Sequence, residues 1–431
     1  MVDGIEVERR TPFGDNPVVG PRGARTQRRI LSAALEVFAE HGYHDSRIEQ
    51  ITEVAGCSRP TFYQYFSSKE DVFRALASYV GRSVVEMTER LGPVTPDAAG
   101  RASVAAWMRE FADFYDVYAP VFTSFSAAVR TDTGLPGASA VVSAGFGRAL
   151  RPHLDIDSDV VDRDVMASIV VTMIVRVNLL RLGSVGLVTR KRLVDSLAAL
   201  VHRVLLGPVP GVEDGKGPRS TRVSTRLRGP APTLDPAPPG ERTLSRQGRQ
   251  TRRRIIEAGI AVFPRRGLHD TRVDDVVEVA GASHGSFYRY FDSKDDLFRT
   301  IATDAASRLV DCIEAFPPGD DPAALRAWLG EWFRAYAGHG GIIALWRETQ
   351  LPDPALAEVT RRVADVALGR LLEALGERAV GDPLVNAMAF LGLIETVPHH
   401  VHAFCYFGEE AAVDALVAII RRGFLGLDAG G

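Results

Sequence analysis

Apolar residues recur at helical spacing along most of this chain, and breaks in that spacing mark where one element ends and the next begins. Ile30, Ala34, Val37 and Phe38 fall on one face of a helix predicted from about Arg25 to His41, which Gly42 ends. Ile48, Ile51 and Ala55 repeat the spacing over a shorter segment. Ser46, with Glu49 three positions on, reads as a capping box at its start, and Gly56 as its C-terminal stop. Ser58 follows at once as the cap of another helix, so two helices meet across a short turn, the helix-turn-helix arrangement. In the second of these, Phe62 and Phe66 face inward, leaving Arg59, Pro60, Thr61, Tyr63 and Gln64 outward. Ser67 and Glu70 cap a further helix, from Ser68 towards Leu91.

The whole pattern occurs twice. Ser46 to Arg74 and Thr271 to Arg299 align at a constant offset with about half their positions identical, which indicates duplication of a whole domain. Thr271 with Asp274, Gly281, Ser283, and Asp292 with Asp295 repeat the caps and stops, and Ile255, Gly259, Val262 and Phe263 repeat the first stripe. There Pro264 replaces Ala39, which predicts a helix that stops or kinks a turn early. The likeness continues downstream: Trp107 aligns with Trp328, Phe111 with Trp332 and Tyr115 with Tyr336, while Phe122 and Phe125 answer Ile343 and Trp346. Two apolar helices close each half, about Val160–Leu182 with Arg190–Leu206 and about Pro383–Phe404 with Glu410–Leu427. The expected architecture is all-α. It comprises a disordered tail (1–23), a first helix-turn-helix domain (24–80), a first helical ligand-binding and dimerisation body (81–206), a Pro/Gly-rich linker (207–245), a second helix-turn-helix domain (246–305) and a second body (306–428). As a flexible coil the linker spans on the order of 35 Å, comparable with the ~34–36 Å between successive major grooves on one DNA face.

Charge placement points to nucleic acid. Arg47 and Arg272 sit at the start of one helix, Lys69 and Lys294 at the start of another. A cation at a helix start opposes the helix dipole by roughly 0.3–1 kcal/mol, which makes sense where an anion docks on the exposed amides. Solvated surface charge is the plain alternative for any one of them, but recurrence in both copies favours phosphate.

AGCSRPTFYQYFSSKEDVF and AGASHGSFYRYFDSKDDLF, with the preceding RTQRRILSAALEVFAEHGYHDSRIEQI, resemble the DNA-binding domain of the tetracycline-repressor (TetR/AcrR) family. The likeness is specific over residues 25–80 and 248–305. Beyond each copy only helical pattern and length agree. The resemblance implies a repressor that binds a double-stranded DNA operator, pairs through its last two helices and holds an effector in each C-terminal body. The DNA-contacting candidates are Arg47, Ser58, Arg59, Pro60, Thr61, Tyr63, Gln64, Tyr65 and Lys69 in the first head. In the second they are Arg272, Ser283, His284, Gly285, Ser286, Tyr288, Arg289, Tyr290 and Lys294. Candidate lining for a small apolar or aromatic effector is Trp107, Phe111, Tyr115 and Phe122, with Trp328, Trp332, Tyr336 and Trp346, although aromatics at helical spacing also suit an ordinary core. Because one chain carries both partners, the inference is an intramolecular pseudo-dimer, with a further homodimer left open. Arg59 against His284, Pro60 against Gly285 and Gln64 against Arg289 imply an imperfect palindrome as operator.

Composition changes little. The chain has 431 residues and a net charge of −3, which is compatible with a locally basic reading surface. Cys57, Cys312 and Cys405 have no disulfide or metal spacing, and His399, His400 and His402 lack a completing ligand, so no cofactor or metal is expected. No leader segment is evident at the start, and the most apolar run, Val165 to Leu182, contains Arg176 and Asn178, so a cytoplasmic protein without membrane contact is the expectation. Two alternatives remain: a regulator in which only one head reads DNA, and a small-molecule-binding protein or enzyme built on helical bodies. No nucleophile elbow, phosphate loop or dinucleotide pattern supports the latter.

Overall fold

The computed structural model describes residues 21–131, 144–183, 188–209, 244–348, 354–402 and 406–428, all helical or connecting segments with no strand among the described residues. The sequence-predicted tail up to residue 20, nearly all of the linker, and Cys405 lie outside them. The chain divides into two compact units, Met1–Gly92 with Ala106–Leu150, and Pro93–Ala105 with Arg151–Gly431. The dividing point falls before the last two helices of the first half, which belong to the unit that holds the second half.

The first unit opens with α1 (Pro21–Asp45), α2 (Ile48–Ala55), α3 (Arg59–Tyr63) and α4 (Lys69–Glu89). α1 starts earlier than its apolar stripe suggested, because Pro21 at its first position carries a backbone angle already suited to a helix. Gly42, at φ 73°, breaks it as predicted. Ile30, Leu31, Val37 and Phe38 of α1 pack with Ile51, Phe62, Phe66 and Phe73 into one core. α5 (Ala98–Val117) and α6 (Ala119–Thr131) follow, with α6 lying on α1 and α4, then a short helix α7 (144–150).

The caps fall one residue later than the sequence suggested. Arg47, not Ser46, is the N-cap of α2, and its amide donates to Gln50 Oε1 at 2.7 Å. Ser46 instead turns back, its hydroxyl donating to the Gly42 carbonyl at 2.5 Å. Likewise Arg272, whose amide donates to Asp275 at 2.8 Å, replaces Thr271, which donates to Gly267 at 2.6 Å. At the next helix Ser68 and Ser293 are the caps, accepting from Asp71 and Asp296, in place of Ser67 with Glu70 and Asp292 with Asp295. Ser46 and Thr271, whose hydroxyls satisfy carbonyls ending the previous helix, are not free to cap the following one.

The second unit holds α8 (Arg163–Gly183) and α9 (Arg190–Leu206), then the second head, α10 (Arg246–Arg266), α11 (Val273–Ala280), α12 (His284–Tyr288) and α13 (Lys294–Glu314). α14 (Pro322–Glu348), α15 (Pro354–Leu375), α16 (Pro383–His402) and α17 (Glu409–Ile419) complete it, α17 running into a π-helical turn, Ile420–Phe424. Pro264 does not stop α10 early: the helix runs to Arg266 and the Gly267 amide closes it on the Phe263 carbonyl at 2.8 Å. Gly341 of α14 makes room for the proline ring, since a Cβ there would lie 2.7 Å from it.

α8 packs along α16 and against α17, and α9 against α16 and the π turn. Arg163–Leu182 is long and apolar enough to cross a membrane by length and composition, and much of that surface, including Ile169, Val170, Ile174 and Val177, is buried within the protein. Two glycines permit the close approach. A Cβ at Gly392 would sit 2.9 Å from Arg176 Cβ, and one at Gly423 would sit 2.5 Å from Val204 Cγ2. Gly423→Ala is therefore expected to lower unfolding free energy by about 1–3 kcal/mol, measured by denaturant titration. An unchanged midpoint would mean that the helices separate at no cost.

Candidate nucleic-acid interface

Each head presents its own candidate reading surface on one very short helix, α3 or α12, that cannot be stable alone. α3 is held by Ser58 Oγ, which accepts from the Thr61 amide at 3.3 Å and lies 2.8 Å from Thr61 Oγ1; Ser283 does the same for Ser286 in α12. The hydroxyls of Ser58 and Ser283 are thus committed to the helix start. Gly56 and Gly281, at φ 59° and 55°, turn the chain between the paired helices as predicted, a conformation that favours glycine. Phe62 and Phe287 anchor the inner faces, both fully buried.

Outward stand Arg59, Pro60 and Tyr63 in the first head and His284, Gly285, Tyr288 and Arg289 in the second, with Thr61, Gln64, Ser286 and Tyr290 half-buried. Tyr63 and Tyr288 are 40% and 56% exposed, large aromatic surfaces without a place in either core. Tyr65 departs from expectation. It is only 4% exposed and packs within the head core, because the chain turns after α3 and carries it inward beside Phe66. Arg59 is paired with Glu49, and at the matching place His284 Nε2 lies 2.6 Å from Asp274. A carboxylate on the preceding helix thus orients the first residue of each reading helix.

The four helix-start cations separate into two kinds. Arg47 and Arg272 are exposed, and among the described residues their side chains carry no ion pair. Lys69 and Lys294 are not phosphate clamps in this arrangement. Lys69 Nζ donates to the carbonyls of Tyr43 at 2.8 Å, His44 at 2.8 Å and Ser46 at 3.2 Å, and lies over the Tyr43 ring. Lys294 repeats the set on Leu268, His269 and Thr271 at 2.7–2.8 Å. All three donors of each ammonium are spent on the turn between the first two helices. Burial holds the Lys69 ammonium below the ordinary lysine range, against the opposing pull of Glu70 and Asp45.

A second brace escaped the sequence reading. Arg29 reaches the C-terminal end of α2, donating to Ala55 at 3.0 Å and Gly56 at 2.8 Å, and Arg254 does the same at Ala280, 2.9 Å. The signal was present: an arginine at the same offset before each first apolar stripe. Cys57, half-buried nearby, has its thiol pushed up by burial, which Arg29 only partly offsets, so it has little thiolate character.

Trp107, Phe111, Tyr115, Trp328, Trp332 and Tyr336 are buried rather than open, and Phe122 is half-buried. Trp107, Phe111 and Tyr115 form a run of ring contacts with centroids 5.8 and 6.0 Å apart, and Phe122 stacks on Tyr115 at 4.2 Å. Trp328, Trp332 and Tyr336 are equally enclosed; the side chain of Trp346 lies outside the described residues. The two bodies differ in hydrogen bonding. Trp328 Nε1 donates to the Cys312 carbonyl at 2.8 Å and Trp332 Nε1 to Ile394 at 2.7 Å, whereas the buried Trp107 Nε1 has no acceptor among the described residues. Among the described residues no group of histidine, cysteine and carboxylate side chains could hold a metal, and His400 faces Thr172 at 3.4 Å.

The two kinds of cation should separate experimentally. Lys69→Met is expected to cost about 2–3 kcal/mol of stability, the net worth of charge-assisted hydrogen bonds, measured by denaturation of the full chain. Arg47→Ala should change stability by less than about 0.5 kcal/mol. The reverse ranking would return Lys69 to the surface role.

The family described as bacterial regulatory proteins, tetR family, matches residues 30–76 and again 255–301. An uncharacterized HTH-type transcriptional regulator, YdgC, of Bacillus subtilis is 35% identical over 88 residues, 20% of this chain and 45% of that protein. The HTH-type transcriptional activator FasR of Mycolicibacterium smegmatis is 36% identical over 110 residues, 25% of this chain and 48% of that protein. The chain thus spans about half the length of the curated relatives it matches. A crystal structure of a tetR-family transcriptional regulator from Streptomyces coelicolor aligns over 39% of this chain and 78% of its own at 20% identity, with a TM-score of 0.32. Both matched segments coincide with the two helix-turn-helix heads, so the chain carries the DNA-binding domain of the tetR family twice in tandem.

Proposed function

We propose that this protein is a ligand-responsive transcriptional regulator, acting as a repressor, in which a single chain forms a pseudo-dimer on an imperfect palindromic operator. The observation that carries the reading is the pair of exposed, differently furnished reading helices, α3 and α12, each beside an unpaired arginine at the start of the preceding helix. Arg47 and Arg272 supply charge where helix amides already favour phosphate, positioning each head without reading sequence. Tyr63, Thr61 and Arg59 on one side, and Tyr288, Ser286, His284 and Arg289 on the other, then meet base edges in successive major grooves. Release of Arg59 from Glu49 accompanies a bidentate contact to guanine in this scheme. Arg289, exposed where the first head has the shorter Gln64, favours a second head that also reads DNA.

The effector belongs in the first body. Its support is the buried Trp107 N–H, which meets no acceptor among the described residues, an arrangement that costs roughly 1–3 kcal/mol. Contact with the head runs through rings: Phe122 on α6 stacks on Tyr115, and Phe125, one helical turn on, lies 6.5 Å from Phe73 of α4, which in turn packs on Tyr43 at 4.9 Å. Tyr43 supplies one of the carbonyls that Lys69 braces. An effector that shifts α6 therefore tilts α4 and the head together, with coupling on the order of 1–3 kcal/mol.

Two measurements test this reading. In a salt titration of binding to the chain's own upstream DNA, Arg47→Ala and Arg272→Ala should each lower the slope by about one phosphate contact. Arg59→Ala should relax preference at one half-site by about 1–3 kcal/mol, and Arg289→Ala at the other. Unchanged slope and footprint in all four would remove the reading. For the effector, Trp107→Phe should weaken release by a co-purified ligand at least tenfold, whereas Trp328→Phe should lower stability without touching response; equal effects would displace the site.

A further inference from the structure

The surface joining the last helices of the two halves is not self-complementary in charge. Its core obeys an approximate two-fold rule. Arg203 of α9 donates to Val380 and Gly423 carbonyls at 3.1 and 2.9 Å, and its counterpart in the π turn, Arg422, donates to the Asp155 carbonyl at 2.8 Å. Asp155 N to Leu205 O and Val380 N to Phe424 O, both 2.8 Å, are likewise matching bonds. Such reciprocity is what an interface between two copies of one surface would show.

Two ion pairs break the rule, both in the same sense. Arg192 of α9 makes a two-pronged contact with Asp382 at 2.6 and 3.0 Å, with Asp382 only 4% exposed. Arg176 of α8 lies 3.3 Å from Glu395 of α16, both largely buried. The aligned stretches Arg192-Leu-Val-Asp-Ser-Leu and Ala411-Ala-Val-Asp-Ala-Leu put alanine where the first half has Arg192. Along the other pair of helices, Thr396 stands in the place of Arg176 and Val175 in that of Glu395. Asp162, the N-cap of α8 that answers Asp382, is exposed. Both arginines thus come from the first half and both carboxylates from the second.

We propose that these pairs are a selectivity lock: the α8–α9 face accepts the α16–α17 face and rejects a second copy of either. Two copies of the second face would bury Asp382 and Glu395 without cations, and two copies of the first would leave Arg176 without a carboxylate. A buried charge deprived of its partner is far costlier than the intact pair is worth, so the exclusion comes from the mismatched assemblies. The lock rests on the single-chain pairing proposed above and deepens it, because the same chain supplies both members at high effective concentration.

The test uses full-length chains. Wild type should sediment as a monomer of 46.8 kDa. Arg192→Asp and Asp382→Arg should each lower the melting midpoint by roughly 10 °C, and the two in one chain should recover at least half of that loss. Co-expression of the two singly reversed chains should yield a joint dimer with a restored midpoint, because each reversed face then finds its charge-matched partner only on the other chain. Because Asp382 also caps α16, the same cycle with Arg176→Glu and Glu395→Arg, neither residue being a cap, decides the matter if a first variant fails to fold. A doubly reversed chain as unstable as the single variants in both cycles would overturn the lock while leaving single-chain pairing intact. Failure of the co-expressed chains to form that dimer would likewise overturn the lock, whereas a wild-type dimer joined through these faces would overturn the single-chain reading itself.

Discussion

The two short helices proposed to read DNA cannot hold themselves, and their placement depends on cations that satisfy the carbonyls around them. A five-residue helix has more unpaired backbone groups at its ends than internal bonds. Each head answers this with the same two braces. One ammonium, Lys69 or Lys294, collects three carbonyls at the turn between the first two helices, and one guanidinium, Arg29 or Arg254, collects those ending the second. Around these braces the aromatic core closes, with Phe38, Phe62, Phe66 and Phe73 in one copy and Phe263, Phe287, Phe291 and Phe298 in the other. Arg47 and Arg272 are then left exposed and, among the described residues, without an ion pair, which suits the proposed contact with phosphate.

Duplication has been followed by divergence in three places, and each has a physical meaning. On the reading helices Arg59 faces His284, Pro60 faces Gly285 and Gln64 faces Arg289 in the alignment, all near the surface and free to change recognition without disturbing the core. In the bodies the Trp328 and Trp332 indoles are satisfied internally, while Trp107 in the first half meets no acceptor among the described residues. At the pairing helices the arginines have gathered on one half and the carboxylates on the other. Two copies released from the need to match themselves can specialise in this way. A homodimer cannot, because every change appears on both sides of its axis.

Much of this was legible in the chain. Gly56, Ser58, Phe62 and Phe66 carry enough local chemistry to place the heads, and their recurrence near Gly281 fixed the duplication. The caps were read one residue early because Ser46 and Ser67 satisfy the same spacing rule as the true positions; only the folded turn shows that Ser46 is engaged with Gly42. Lys69 was misread for a related reason. Recurrence in both copies does not separate function from structure, because a structural brace is duplicated just as faithfully, and no helical period reveals a bond to carbonyls 23 to 26 residues away. Tyr65 looked exposed because the helix was extended past its real end. The lock between Arg192 and Asp382 spans 190 residues and lay beyond any pattern rule.

The central claim is that one polypeptide brings two unlike reading heads to one stretch of DNA. Native mass spectrometry of the full-length chain bound to a DNA site recovered by in vitro selection measures it most directly. The account predicts one chain per duplex on a site whose two halves differ. Two chains per duplex, or a site whose halves are identical, would contradict it.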